Sequence, residues 1–108
     1  MFNPFKMQEM LSQATQMQEE VQRKLSQTIL EGESGGGAVK ATMNGKKQLL
    51  GINIDPSAVA SLSGSSVDLE MLQDLIVAAV NDAGRKAEEA LKGQLKGVLG
   101  GLNLPGLT

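Results

Sequence analysis

The feature that most constrains the fold lies in residues 32–56, which read GESGGGAVKATMNGKKQLLGINIDP. After three glycines, Val39, Ala41 and Met43 alternate with polar residues, a period of two that is typical of a half-buried strand. The pair Asn44-Gly45 follows. Asn-Gly is the commonest pair in the type I′ turn of a β-hairpin, because both central residues need a positive φ. The stretch therefore predicts two antiparallel strands that meet at this pair.

The second strand of the hairpin is predicted from about Lys47 to Ile54. Its side chains divide between two faces, with Leu50, Ile52 and Ile54 on one and Leu49, Gly51 and Asn53 on the other. The dipeptide Asp55-Pro56 should end the strand, since proline has no N–H for a continuing ladder.

A long helix and a further strand are predicted before the hairpin. Between Asn3 and Ser26, apolar residues recur at spacings of three and four, as in an amphipathic helix: Met7, Met10, Ala14, Met17 and Val21. Asn3 is a suitable N-cap, and Pro4 suits the first helical position. The segment from Thr28 to Glu33 contains two β-branched residues and ends in glycine-rich sequence, so it predicts a first strand.

A second long helix should follow the hairpin. Asp68 can cap it, and acidic residues occupy its first turns, where the helix dipole favours them. Its apolar stripe narrows to alanine along the chain, which permits close packing: Leu72, Leu75, Ile76, Ala79, Ala83 and Ala87. Residues 57–66 are small and Ser-rich and predict a loop, in which Ser57 to Leu62 could form one helical turn.

Together these elements predict one α+β domain over residues 1–108, in two layers. The order is a helix at 1–27, a three-stranded antiparallel sheet at 28–55, a loop at 56–67, a helix at 68–96 and a flexible tail at 97–108. Aromatic residues make up only 2% of the chain. A core of aliphatic residues and methionine is thin for a monomer, and small domains of this kind often complete their burial by oligomerising.

The composition argues against several classes of function. The chain has no Cys and no His, which removes disulfides, thiolate ligands and the usual general base. No stretch approaches the roughly 20 apolar residues of a membrane span, and no signal peptide is apparent. We therefore expect a cytoplasmic protein that is not an enzyme, with no cofactor, no metal, no membrane association and no small-molecule substrate. The net charge of −2 argues against polyanion binding by bulk charge, so a nucleic-acid contact would need a local basic face.

Two patterns that suggest a site have simpler explanations. The glycines at 35–37 do not form a phosphate-binding P-loop, because Lys40 stands where the P-loop glycine is required. They instead predict a tight connection between strands. Four aspartates, Asp55, Asp68, Asp74 and Asp82, suit caps, turns and a helix surface better than a shared metal or acid-base site.

Apolar residues divide between a core and a possible contact between two copies of the chain. The methionines at helical spacing could form an adaptable binding surface, but packing in a core or a dimer is favoured. The residues predicted for the core or the dimer contact are Met7, Met10, Met17, Val39, Met43, Ile52, Leu72 and Ile76.

Basic residues concentrate at three places: the end of the first helix, the hairpin, and the second half of the last helix. They are Arg23, Lys24, Lys40, Lys46, Lys47, Arg85, Lys86, Lys92 and Lys96. By pattern alone they are ordinary solvated residues, since charge runs usually are. Basic residues near the end of a helix also suit its dipole without any ligand.

Four blocks in order resemble the YbaB/EbfC family of bacterial nucleoid-associated proteins over nearly the whole chain. They are MQEMLSQATQMQEEVQ, EGESGGGAVKATMNGKK with INIDP, EMLQDLIVAAVNDAGRKAEE, and GGLNLPGL. The chain departs from the family at Ala41, where a larger β-branched residue is common, at Gln73, where an acid is frequent, and in its Ser-rich stretch at 61–66.

The resemblance implies an α-β-β-β-α fold, homodimers with protruding helical arms, and binding of double-stranded DNA with little sequence stringency. It makes the nine basic residues candidates for phosphate contacts, which give affinity but little sequence information. The expected role is organisation of the nucleoid, with a part in gene regulation. The alternative is a protein-protein adaptor whose contact with DNA is incidental, which the acidic pI of about 5.0 supports.

Overall fold

A computed structural model describes residues 3–64 and 66–102, with side chains described as far as Val98. Helix α1 spans Pro4–Gln27, and strands β1, β2 and β3 span Ile29–Ser34, Val39–Asn44 and Leu49–Ile54. Helix α2 spans Pro56–Ser63, and helix α3 spans Leu69–Leu102. The strands form one antiparallel sheet in the order β1-β2-β3. The predicted α+β fold with a three-stranded antiparallel sheet is confirmed.

The two long helices begin where the sequence predicts. The side chain of Asn3 accepts a hydrogen bond from the N–H of Phe5 at 3.0 Å, with Pro4 in the first turn. Asp68 accepts from the N–H groups of Glu70 at 3.0 Å and Met71 at 3.3 Å. Both caps satisfy N–H groups that have no partner within the helix.

The core lies between the sheet and α3 and consists largely of small residues. Its buried members are Ala38, Val39, Ala41, Met43, Val59, Ala79, Ala83 and Ala87. Gly32 on β1 belongs to the same contact, because a Cβ atom there would lie 2.2 Å from the backbone nitrogen of Ala83 and 2.3 Å from the carbonyl oxygen of Ala79. The narrowing of the α3 stripe to alanine therefore brings helix backbone against strand backbone, as the sequence indicates.

Two predicted boundaries are wrong. The segment 56–67 is not a loop throughout, because the helical turn predicted at Ser57 to Leu62 is part of the longer helix α2, Pro56–Ser63, which buries Val59 completely. Asp55 caps this helix by accepting from the N–H groups of Ser57 and Ala58. The last helix does not end at Lys96 but continues to Leu102. The rest of the predicted flexible tail, residues 103–108, lies outside the described residues.

The predicted type I′ turn is also wrong, although the hairpin itself is confirmed. Four residues separate β2 from β3, and the residue with positive φ is Lys47 (64°) rather than Gly45. The side chain of Asn44 holds the turn instead, since its Oδ1 accepts from the N–H groups of Lys46 and Gln48, each at 3.0 Å. This Asx-type arrangement replaces the two-residue turn. The glycines at 35–37 form the predicted tight connection, as a short 3₁₀ turn with positive φ.

The molecule is elongated, measuring 75 × 26 × 17 Å along its principal axes. Residues 4–24 of α1 and 88–102 of α3 run beyond the sheet, and we call this pair the arm. At its base, Leu25 shares a cleft with Ala87, and farther out Met17 shares one with Val98, so the two helices run antiparallel.

Candidate nucleic-acid interface

Two of the three basic clusters meet at the base of the arm. The N–H of Gly45 donates to the carbonyl oxygens of Leu25 at 2.8 Å and Thr28 at 3.0 Å. A Cβ atom at position 45 would lie 2.8 Å from the Leu25 carbonyl oxygen, so only glycine permits this approach. The contact brings the hairpin lysines, Lys46 and Lys47, against the end of α1.

On α3, three of the predicted basic residues share one exposed face. Arg85, Lys92 and Lys96 are separated by seven and four residues, which places them on one side of a helix. Ala83 and Ala87, which are fully buried, face the sheet. The basic face therefore points away from the core along the arm.

The side chain of Lys47 forms an ion pair. Its ammonium group is hydrogen bonded to the carboxylate of Glu88 on α3. The hydrogen bond from Lys47 and its charge lower the pKa of Glu88, with a smaller contribution from Lys92. This pair links the hairpin turn to the base of the arm.

Asp82 organises a second group of charges at the junction of α3 and β1. Its Oδ2 accepts from the N–H of Glu33 at 3.0 Å, and its carboxylate lies 3.5 Å from Lys86 Nζ and 3.4 Å from Arg85. The hydrogen bond from the Glu33 backbone lowers the pKa of Asp82 most, with help from Lys86 and Arg85. Lys86 also donates to the carbonyl oxygen of Glu31 at 2.6 Å.

This role of Asp82 was missed by sequence reasoning. The spacing of Asp82, Arg85 and Lys86 at i, i+3 and i+4 indicates ion pairing on one helix. The hydrogen bond to Glu33 spans 49 residues, and no local pattern predicts it.

The nine predicted basic residues thus fall into two groups. Five make ion pairs: Lys24 with Glu20 (3.4 Å), Lys40 with Glu31 (3.9 Å), Lys47 with Glu88, and both Arg85 and Lys86 with Asp82. The other four make no ion pair with any described residue and are exposed: Arg23, Lys46, Lys92 and Lys96. Lys6, which the sequence argument passed over, is also exposed and outside these pairs.

The residues predicted for a core or a dimer contact also divide. Val39 and Met43 are buried, and Leu72 and Ile76 pack against the core as partly buried residues. Met17 is half-buried at the arm. Met7, Met10 and Ile52 lie outside the protomer core, with 48%, 70% and 37% of their surface exposed. For these three, only the dimer contact stays open as a prediction.

Within the described ranges, no helix is long and apolar enough to cross a membrane. The same part of the chain holds no group of three or more acidic side chains that could bind a metal ion.

Comparison with known proteins shows which proteins and which family the chain is similar to. It is 65% identical over 103 residues to a nucleoid-associated protein of Acidobacterium capsulatum, covering 95% of each chain. It is 47% identical over 106 residues to one from Caldanaerobacter subterraneus, covering 95% of this chain and 91% of the relative. The crystal structure of an uncharacterized protein of Helicobacter pylori superimposes with a TM-score of 0.73 at 26% identity, covering 92% of this chain and 99% of that one. The sequence profile of the YbaB/EbfC DNA-binding family matches residues 2–102, and the chain therefore belongs to that family.

Proposed function

We propose that this protein is a homodimer that binds double-stranded DNA through phosphate contacts, with little dependence on base sequence, and acts in organising the nucleoid. Membership of a DNA-binding family and relatives named as nucleoid-associated proteins support this role. Lysine and arginine side chains that reach phosphates add affinity without reading bases. The described part of the chain offers no aromatic side chain except Phe5, so stacking on single strands has little basis.

The observation that carries the proposal is the separation of basic residues into paired and unpaired groups. A lysine that is already paired with a carboxylate must exchange one partner for another when it meets a phosphate, whereas an unpaired lysine only gains one. We therefore assign the phosphate contacts to Arg23, Lys46, Lys92 and Lys96. Lys40 instead links β2 to β1 through Glu31, Lys86 links α3 to β1 through the Glu31 carbonyl oxygen, and Arg85 pairs with Asp82 within α3.

The dimer is proposed to form through the side of β3 that α3 leaves open. Helix α3 lies over β1 and β2, and β3 remains an edge of the sheet. Three of its apolar side chains, Leu49, Leu50 and Ile52, have 49%, 54% and 37% of their surface exposed. Exposed apolar side chains along an unpaired strand edge suit a contact with another chain. A dimer would also double every basic cluster.

Titration of duplex binding against salt tests the function. The logarithm of the affinity should fall linearly with the logarithm of the salt concentration, with a slope of about 0.9 for each phosphate contacted. Two unrelated duplexes of equal length should compete equally. A protein that fails to shift duplex DNA even at low salt would contradict the proposal.

The assignment of residues is tested with paired variants. Replacing Lys92 and Lys96 together by Gln should reduce the salt slope by about 0.9 for each phosphate that is no longer bound. The control replaces Lys24 and Lys40 by Gln, which removes the same charge from ion-paired positions and should leave the slope nearly unchanged. Equal reductions in both variants would show that the ion pairs do not select the phosphate-binding residues. Unchanged DNA binding in both, with a protein partner retained, would favour the adaptor alternative.

A further inference from the structure

Each of the two α3 lysines assigned to phosphate contacts, Lys92 and Lys96, is followed directly by a glycine. Gly93 and Gly97 lie inside the helix and are exposed. A Cβ atom at either position would meet nothing within 4 Å in the described part of the chain, so packing there does not require glycine. Compared with alanine, each glycine disfavours the helix about fivefold, and the two together about 20-fold. The helix is therefore weakened beside the residues that are proposed to bind phosphate.

The charges of the two lysines weaken the same stretch of helix. Lys92 and Lys96 are four residues apart, and like charges at this spacing on a helix repel each other and destabilise it. Glu88 lies near Lys92 but is already paired with Lys47. Neither Lys92 nor Lys96 forms an ion pair with a described residue that would offset the repulsion. A phosphate bound between the two ammonium groups would remove the repulsion and so favour the helix.

Polar contacts fasten the inner part of α3 to the rest of the fold but are missing farther out. Asp82 and Lys86 are hydrogen bonded to the backbone of β1, and Glu88 is paired with Lys47 of the hairpin. From residue 89 to Val98, no side chain makes a hydrogen bond or an ion pair with any described residue. We call residues 89–98 the outer segment of α3.

Apolar packing of the outer segment against α1 is also incomplete. Val98 shares two clefts with Met17 and Val21, one on each side of the contact between the helices, with volumes of about 380 and 370 Å³. Leu91 and Leu95 line the second cleft and keep 39% and 46% of their surface exposed. No side chain of the outer segment is fully buried. The segment is therefore held by less buried surface than the part of α3 that packs on the sheet.

We propose that the outer segment opens as one unit, losing its helical hydrogen bonds while the sheet and the inner part of α3 stay folded, and that phosphate contacts at Lys92 and Lys96 restore the helix. This coupling rests on the proposed binding of DNA. Only the helical state holds both ammonium groups on one face, so a duplex binds that state better and shifts the population toward it. The affinity for DNA is lowered by the fraction of molecules in which the segment has to refold.

Amide hydrogen exchange of the full chain without DNA tests the opening. Residues 90–98 should exchange at least tenfold faster than residues 76–87, with a step near residue 89. Gly93→Ala combined with Gly97→Ala should slow exchange at 90–98 about 20-fold. Gly84→Ala is the matched control, since a Cβ atom there also meets nothing within 4 Å. It should slow exchange at 76–87 about fivefold but leave 90–98 unchanged, because position 84 stays helical when the outer segment opens.

Two results without DNA would overturn the proposal. If Gly84→Ala slowed exchange at 90–98 as much as at 76–87, the outer segment would open only when the whole fold opens. If fast exchange were confined to the last turn before Leu102, the helix would show ordinary fraying of its end and no separate unit.

The same measurement with saturating duplex DNA tests the coupling. The duplex should slow exchange at 90–98 at least tenfold in the wild-type chain, and much less in a variant with both Lys92→Gln and Lys96→Gln. DNA binding that leaves exchange at 90–98 unchanged would overturn the coupling and leave the proposed function intact. A wild-type chain that binds no duplex at low salt would contradict the proposed function and the coupling together, whereas the opening is measured without DNA.

Discussion

At the scale of single residues, the contact between α3 and the sheet requires glycine and alanine, whose side chains are very small or absent. Gly32 faces Ala79 and Ala83 so closely that backbone meets backbone, and Ala87 continues the same seam. The seam contains little apolar volume, and its packing energy comes from many short contacts between small groups. A single added methyl group would therefore disturb the packing of α3 against the whole sheet.

Gly32→Ala should destabilise the fold by about 3 kcal/mol or more, because overpacking a tight core typically costs about 1–3 kcal/mol and here the obstacle is backbone. Chemical denaturation followed by circular dichroism measures the loss. Gly51→Ala is the matched control, since position 51 is also in a strand and a Cβ atom there meets nothing within 4 Å. Similar stability of the two variants would refute the close-contact explanation.

The lowered pKa of Asp82 predicts that the stability of the fold depends on pH. Its pKa is lowered in the folded protein, so its contribution is present above the ordinary aspartate pKa of about 3.9 and is lost as the pH falls through the lowered value. Asp82→Asn should therefore be less stable than wild type at neutral pH, and the difference should shrink below about pH 4. Unfolding titrations at several pH values measure it. A difference that stays constant down to pH 2 would contradict the charge argument.

Asp74→Asn provides the comparison for this series. Asp74 is also on α3 but is exposed and makes no hydrogen bond or ion pair with any residue in the described part of the chain. Its replacement should leave the unfolding free energy nearly unchanged across the same pH range.

At the scale of elements, α2 is the part of the fold that the sequence predicts only in part, because the single helical turn expected at Ser57 to Leu62 is a helix of eight residues. The pair Asp55-Pro56 has two roles, since it ends a strand and also begins a helix as N-cap and first helical residue. The serines that follow favour a loop, but tertiary contact decides otherwise, because Val59 is fully buried in the core. A buried valine in a Ser-rich stretch has no periodic signal that could reveal it.

Val59→Ala should cost about 1–3 kcal/mol, as expected for a truncation in a packed core. Val67→Ala makes the same chemical change at a position with 42% of its surface exposed, between α2 and α3, and should cost less than about 0.5 kcal/mol. Thermal unfolding of both variants provides the comparison. Equal losses would mean that α2 contributes no more to stability than the exposed connection does.

The elements that could be predicted are those whose signals are local. The strands, the caps of α1 and α3 and the alanine stripe follow from periodicity and from Asn3, Pro4 and Asp68. The turn at Asn44 could not, because Gly45 is required for its approach to Leu25, a contact between distant parts of the chain. The basic residues were found from composition, but which of them are paired depends on partners such as Glu31 and Glu88, which only the fold brings near.

At the scale of the whole molecule, an 11.3 kDa chain that reaches 75 Å in one direction has a large surface for its volume. Small domains bury a modest share of their surface, and a second copy is a common way to bury more. The exposed side of β3 is one apolar area of the described chain that a second copy would cover.

The proposed dimer is tested by mass. Sedimentation equilibrium of the wild-type chain should give twice the mass of one 11.3 kDa chain. Leu50→Lys should weaken the dimer at least tenfold, because it places a charge in the apolar contact. Val77→Lys serves as the control, since Val77 has 58% of its surface exposed but lies on α3. A wild-type protein that sediments as one chain at micromolar concentration would contradict the dimer.

The hydrogen bonds of Gly45 have a mechanical consequence. They fix the end of α1 to the hairpin through main-chain atoms, beside the ion pair of Lys47 and Glu88 that links the hairpin to α3. From Leu25 to Pro4, α1 is about 32 Å long, so a tilt of 5° where it joins the hairpin would move Pro4 by about 3 Å. Substitutions along α1 can therefore change its contacts without changing its direction. A single methyl group at position 45 would change the direction.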